Sequence, residues 1–143
     1  MICTFFGHKD TPDHMKEEIK KVITHLVEHN GVDKFYVGNN GNFDFLVQKI
    51  LNELCSNNKS IHYCIVTSRV NEKAISGFQD ATIFPEALDN ALPKFAISER
   101  NDWMIANSSY AICYVNHKFS NSFAWVEKAK KKGLQVINLG KMH

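Results

Sequence analysis

The 143-residue sequence is poor in the features that mark secreted, membrane-spanning and polyanion-binding chains. Its four cysteines, Cys3, Cys55, Cys64 and Cys113, include no CxxC spacing. Three of them, Cys3, Cys64 and Cys113, lie within apolar runs, where a free thiol acts as a small hydrophobe. That usage is the one expected of a reduced, cytoplasmic chain with no structural metal. No apolar run approaches the roughly 18 residues of a membrane span. Met1–His8 shows neither a basic leader nor a small-residue cleavage site, so no signal peptide is expected. Charge of one sign is also missing. Seventeen Lys+Arg against fifteen Asp+Glu leave +2, too little to draw nucleic acid or an acidic membrane by bulk electrostatics. The one basic run, Lys128–Lys132, falls late on a helical pattern, where cations suit the helix dipole.

What is present is an alternation of short apolar runs with helical periods, the pattern of a parallel α/β sheet. Strands are predicted at 2–6, 33–38, 61–67, 110–115 and 135–139, with a further short one open at 81–84. After the first strand, Thr11 is expected to cap a helix with Pro12 at its first position. Met15, Ile19, Val22, Ile23 and Leu26 then form one apolar face. A second helix carries Leu46, Val47, Ile50, Leu51 and Leu54, a third spans 94–107 and a fourth 120–132. Gly77, Pro85 and Pro93 mark residues 68–92 as mostly excursion. The expectation is one domain over 1–143: a Rossmann-like three-layer α/β/α sandwich with a mostly parallel sheet of about five strands.

In such sheets ligands bind beyond the carboxyl ends of the strands. That rule selects Gly7, His8 and Lys9 after the first strand, and Gly38, Asn39, Asn40, Gly41, Asn42 and Asp44 after the second. Thr67-Ser68-Arg69 follows the third, and 116–122, with Ser120, Asn121 and Ser122, follows the fourth. Glycine lets backbone approach a phosphate, and the next helix offers free N–H groups at its positive end. Gly and Asn are also ordinary turn formers, so convergence of several loops at one edge is what gives the reading weight. Asp44 suits either a ribose hydroxyl or the dipole of its own helix. His8 suits either a phosphate or a surface turn.

Two stretches carry a family likeness. Gly38-Asn39-Asn40-Gly41-Asn42-Phe43-Asp44 opens the second helix, and Ser98-Glu99-Arg100-Asn101-Asp102-Trp103-Met104 runs into the strand at Tyr110. Together they resemble the SLOG superfamily of Rossmann-like nucleotide-binding proteins, which includes the LOG and DprA families. Ser120-Asn121-Ser122-Phe123-Ala124-Trp125-Val126-Glu127 aligns with the phosphate loop PGGxGTxxE of LOG proteins. The resemblance implies a nucleotide site using Arg100 and Met104, with Glu127 and Arg100 as the catalytic pair if an N-glycosidic bond is cleaved. It also implies a homodimer or higher oligomer, which the apolar excess around Trp103 would allow.

Two of the motif glycines are replaced by Ser120 and Asn121 and its threonine by Ala124. These departures favour binding over cleavage. The leading expectation is a sensor or sequestering sponge for a nucleotide or cyclic ADP-ribose-type molecule in phage–bacterium immunity, with no cofactor. The alternative is a phosphoribohydrolase or deoxyribosyltransferase, and a ligand-free assembly module is a third reading. Phe43, Tyr110, Tyr114, Phe119 and Trp125 are available either for stacking on a base or for the core. His25-Leu26-Val27-Glu28-His29 fits an inverted zincin string but precedes the helix stop at Asn30-Gly31, where histidine suits the dipole. A surface ion pair with Glu99 or Asp102 is the competing role for Arg100.

Overall fold

A computed structural model of the chain describes residues 1–68, 81–83, 85 and 95–142. Six strands, β1 (Ile2–Gly7), β2 (Lys34–Val37), β3 (His62–Val66), β4 (Ala81–Ile83), β5 (Tyr110–Tyr114) and β6 (Gln135–Asn138), form one sheet. Its order is β4-β3-β2-β1-β5-β6, and every neighbouring pair is parallel. The five predicted strands are present, and Ala81–Ile83 joins β3 as a sixth at the edge. Arg69, Gly77, Phe84, Pro93 and Lys94 lie outside the described residues.

Parallel neighbours need crossovers, and the helices supply them: α1 (Lys16–His29), α2 (Asn42–Asn57), α3 (Ala96–Ala106) and α4 (Asn121–Lys131). Ile19, Ile23 and Leu26 of α1 and Leu46, Val47, Ile50 and Leu51 of α2 pack on one face of the sheet. Met104 and Ile105 of α3 and Val126 and Ala129 of α4 cover the other. Strand alternation feeds both layers, since Cys3 and Phe5 enter the first cluster and Phe6 the second. The architecture is the three-layer α/β/α sandwich.

One local expectation fails. Thr11 does not cap α1; its hydroxyl donates to the His8 carbonyl at 2.6 Å, and Pro12 leads into a 3-10 turn, Asp13–Met15. The loop is tied back on β1, so the α-helix begins only at Lys16. The chain runs outward through α1 and α2 on one side of β1, then returns through α3 to place β5 on the other. The crossovers therefore diverge between β1 and β5, which is the topological switch point of such sheets.

Candidate functional site

At the carboxyl edge of the sheet, a cleft of about 460 Å³ opens at the end of β1. Phe5, Phe6 and Gly7 form its floor, with Lys9 beyond them. Asn40 and Asp44 enter from the β2–α2 connection, and Ile97, Ser98, Arg100 and Asn101 from α3. Asn121, Ser122, Ala124 and Trp125 of α4 complete the wall. The predicted residues Gly7, Lys9, Asn40, Asp44, Arg100, Asn121 and Ser122 are thus brought together from four segments.

Arg100 is the centre of the charge arrangement. It is 3% exposed, and its Nε and Nη2 donate to Asn101 Oδ1 at 3.2 and 3.0 Å. Nη1 is buried and has no hydrogen-bond partner among the described residues. An unmatched buried donor on a cation is costly, and it stands directly behind the cleft wall. The competing surface ion pair is not formed among the described residues: Asp102 pairs with Lys128 of α4. A Cβ on Gly38 would lie 2.8 Å from Asp44 Oδ2 and 3.0 Å from Arg100 Nη1. Asp44 and the guanidinium therefore abut the same bare backbone, and Asp44 Oδ2 also accepts the Asn40 N–H at 3.0 Å. Gly38 clears space for this pair. Behind it, Gln48 donates to the Gly38 carbonyl at 2.9 Å and to Asn39 Oδ1 at 3.4 Å, which holds the turn from within.

Two helix N-termini reach the cleft. α3 has Phe95 at its N-cap and no side-chain cap, and its first turn carries Ile97 and Ser98 into the wall. α4 starts at Asn121, with Ser120 accepting the Phe123 N–H at 3.1 Å. Ser120 is therefore a helix cap, not a cleft residue. Ser122 donates to the Gly7 carbonyl at 3.0 Å, fastening α4 to the end of β1. Both helices direct partial positive charge, about half an elementary charge each, toward this edge.

Several other predicted residues build the frame. Gly41 has φ +104°, and its Cβ would meet Lys9 Cα at 2.7 Å, so glycine is required where the β1–α1 and β2–α2 loops cross. Asn42 donates from its backbone to the Lys9 carbonyl at 2.8 Å and from its side chain to the Thr11 carbonyl at 2.5 Å. His8 lies behind the cleft, 8% exposed, where Nε2 accepts the Asn116 N–H at 3.1 Å and the ring stacks on His117. Burial, with His117 beside it, holds the His8 pKa below its ordinary value. Met104 is 1% exposed and belongs to the core one turn below Arg100.

Glu127 stands elsewhere. It lines a separate surface depression with Phe123, Lys128, Lys131 and Lys132, and its carboxylate is 3.6 Å from Lys130. It shares α4 with the cleft residues without lining the cleft; Ala124, one turn before it, borders both. Of the five aromatic candidates, Trp125 alone reaches the cleft wall described above. Its ring already stacks on Phe6 and carries the Lys128 ammonium 5.3 Å from its centroid. Phe43 is buried under Gly7, Tyr110 is buried, Tyr114 packs edge-on to His8 and Phe119 is fully exposed. His25 and His29 occupy the exposed far end of α1, and no cluster of three metal-ligating side chains occurs among the described residues.

Ile97, Ser98, Asn101 and Ala124 enter the site without having been singled out for it. Ile97, Arg100, Asn101 and Met104 follow helical spacing, so the sequence itself places them on one face of α3. The chain matches no known protein-family model and no curated protein sequence. No helix among the described residues is long and apolar enough to cross a membrane.

Proposed function

We propose that the chain binds a phosphorylated nucleotide-type molecule, of the nucleoside monophosphate or cyclic ADP-ribose class, in the cleft at the end of β1. The observation that carries this reading is the buried, unpartnered Arg100 Nη1 in a wall that two helix N-termini also reach. An anionic oxygen would satisfy that donor, and Lys9 adds a second cation. Asp44 brings a carboxylate acceptor to the cleft wall, which suits a ribose hydroxyl, and the apolar floor of Phe5 and Phe6 suits the rest of a nucleoside. The role is sequestration or sensing, in line with the SLOG resemblance, and self-association through the helix around Trp103 belongs to the same proposal.

A cleavage reading has one observation of its own. Glu127 lies outside the cleft, but Asp44 brings a carboxylate into it beside Arg100. In an N-glycosidic reaction Asp44 would stabilise the positive charge at the anomeric carbon as the C–N bond breaks, the base leaving with a proton from water and the hydroxide adding to that carbon.

The test is a ligand-fate assay with adenosine 5′-monophosphate, deoxynucleosides and cyclic ADP-ribose isomers. Bound and free fractions are separated, the bound fraction is denatured by heat, and the released species are weighed by mass spectrometry. Intact ligand is expected, with binding lost in Arg100→Met. The lost charge-assisted contact is worth about 1.5–3 kcal/mol, roughly 10- to 150-fold in affinity. Unchanged affinity in a folded Arg100→Met protein would remove the site. Free base accumulating beyond one equivalent, and abolished in Asp44→Asn, would establish cleavage instead.

A further inference from the structure

The two loops that meet at the switch point are joined by an imidazole, beside the bond from the His8 backbone N–H to the Tyr114 carbonyl at 3.3 Å and the Ser122–Gly7 hydrogen bond. His8 follows Gly7 on the β1–α1 loop, and Asn116 and His117 lie on the β5–α4 loop that leads into Asn121 and Ser122. The Asn116 N–H donates to His8 Nε2 at 3.1 Å. Nε2 must therefore be bare, and the neutral ring keeps its proton on Nδ1. His117 lies parallel to it, with ring centroids 4.7 Å apart and planes 6° from coplanar. Tyr114 closes the edge at 5.9 Å. Protonating Nε2 would turn the acceptor into a donor facing another donor, on a ring stacked against a second titratable ring.

We propose that the His8–Asn116 contact is an acid-labile tie, which holds the cleft closed-packed near neutral pH and releases its β1 and α4 walls on acidification. This rests on the ligand-cleft reading above and adds a mode of regulation to it.

The groups around the ring set the sign. Burial and His117 oppose a charge on His8, whereas the Asp10 carboxylate favours it. Tyr114 is the titratable neighbour on β5, and Glu18 of α1 and Lys141 after β6 share the depression beside Tyr114 and Asn116. The opposing influences win, so the proton is bound less readily in the folded arrangement than in an open one. Stability of the tie is then fully present above the ordinary pKa of 6.5 and is lost as pH falls below it toward the depressed folded value.

The consequence reaches the cleft through short connections. Gly7 and Lys9 flank His8 and line the cleft, and Ser122 is hydrogen-bonded to the Gly7 carbonyl. Thr11 donates to the His8 carbonyl through both its backbone N–H and its hydroxyl. Loosening the imidazole therefore loosens the residues on both sides of the floor.

The experiment follows the Asn116 amide and the His8 ring by nuclear magnetic resonance from about pH 7.5 to about pH 5, the range over which histidine titrates. The protection factor of the Asn116 amide is expected to fall about tenfold or more in step with His8 protonation. Affinity for adenosine 5′-monophosphate and cyclic ADP-ribose, measured on the same samples, is expected to fall with it. His8→Gln, which keeps an acceptor near the Nε2 position without titrating, should make the protection independent of pH. An Asn116 amide that stays protected while His8 titrates would overturn the tie in the unaltered protein, whatever the variant does. Protection that falls with no change in probe affinity would overturn the regulation. If neither probe binds at any pH, the cleft reading fails, and the Asn116 amide alone decides whether the tie exists.

Discussion

The ring of Phe43 lies against Gly7 so closely that a Cβ on that glycine would stand 2.2 Å from the ring's Cγ. Gly7 is the last residue of β1 and Phe43 sits in the first turn of α2, so this contact sets how near the helix comes to the strand end. Gly7→Ala forces one of them to move. Overpacking of this kind costs about 1–3 kcal/mol, read as a lower urea midpoint at unchanged slope. Combining it with Phe43→Leu should cost less than the sum of the two single changes, because they share the same space. Strict additivity in that double-mutant cycle would mean that the ring is not the obstacle.

Gly38 offers a sharper separation of stability from function. A Cβ there would press on Asp44 Oδ2 at 2.8 Å and on Arg100 Cζ at 3.0 Å, both at the far ends of flexible side chains. Gly38→Ala is therefore expected to shift the melting temperature little while displacing the guanidinium from the cleft wall. Binding of adenosine 5′-monophosphate should weaken about tenfold, the effect of roughly 1.4 kcal/mol. Calorimetric titration beside a thermal melt reads both. Full affinity in the variant would show that Arg100 does not need its present position.

The two glycines explain which parts of the site were legible in the sequence. Gly7 and Gly41 sit where a phosphate-binding turn would place them, and local spacing cannot tell that reading from a steric one. Their neighbours are Phe43 and the Lys9 backbone, contacts made across loops that no local pattern encodes. The strands were readable because each is a short apolar run bounded by turn residues, whereas β4 is three residues long and carries little pattern. Arg100 was readable as a candidate but not as a buried one. Glu99 and Asp102 beside it suggest a solvated helix face, yet Asp102 crosses to Lys128 and Arg100 turns inward to Asn101. Glu127 illustrates the reverse case. A motif alignment places it in the site, while the rotation of α4 gives the cleft to Asn121, Ser122 and Trp125.

The cysteines should be silent in the native state. All four are buried, and Cys3 and Cys113 are wholly enclosed. Burial pushes the Cys113 thiol up to about 12 and the Cys3 thiol well above its usual value, so neither offers a thiolate near neutral pH. An aromatic disulfide reagent at about pH 8, near the ordinary thiol pKa, should label them only after denaturant is added. The labelling rate should then follow unfolding. Rapid labelling of Cys3 or Cys113 in the native protein would contradict the enclosure of β1 and β5.

Ser120, at the N-cap of α4, separates a structural role from a ligand role. Its hydroxyl accepts the Phe123 N–H at 3.1 Å and donates to the His117 carbonyl at 3.2 Å, so its one donor and one of its two lone pairs are used within the protein. Ser120→Ala should therefore cost about 1 kcal/mol, the usual loss of a helix cap, and lower the melting temperature by about 4 °C. Ser120→Gly should cost only a few tenths of that amount, since glycine is itself tolerated at an N-cap. Affinity for adenosine 5′-monophosphate should survive both changes once folding is complete. Were the hydroxyl a ligand contact, both variants would lose affinity alike, regardless of their stability. A loss confined to Ser120→Ala that tracks its melting temperature would instead assign the serine to holding the start of α4, and with it Asn121 and Ser122, at the cleft.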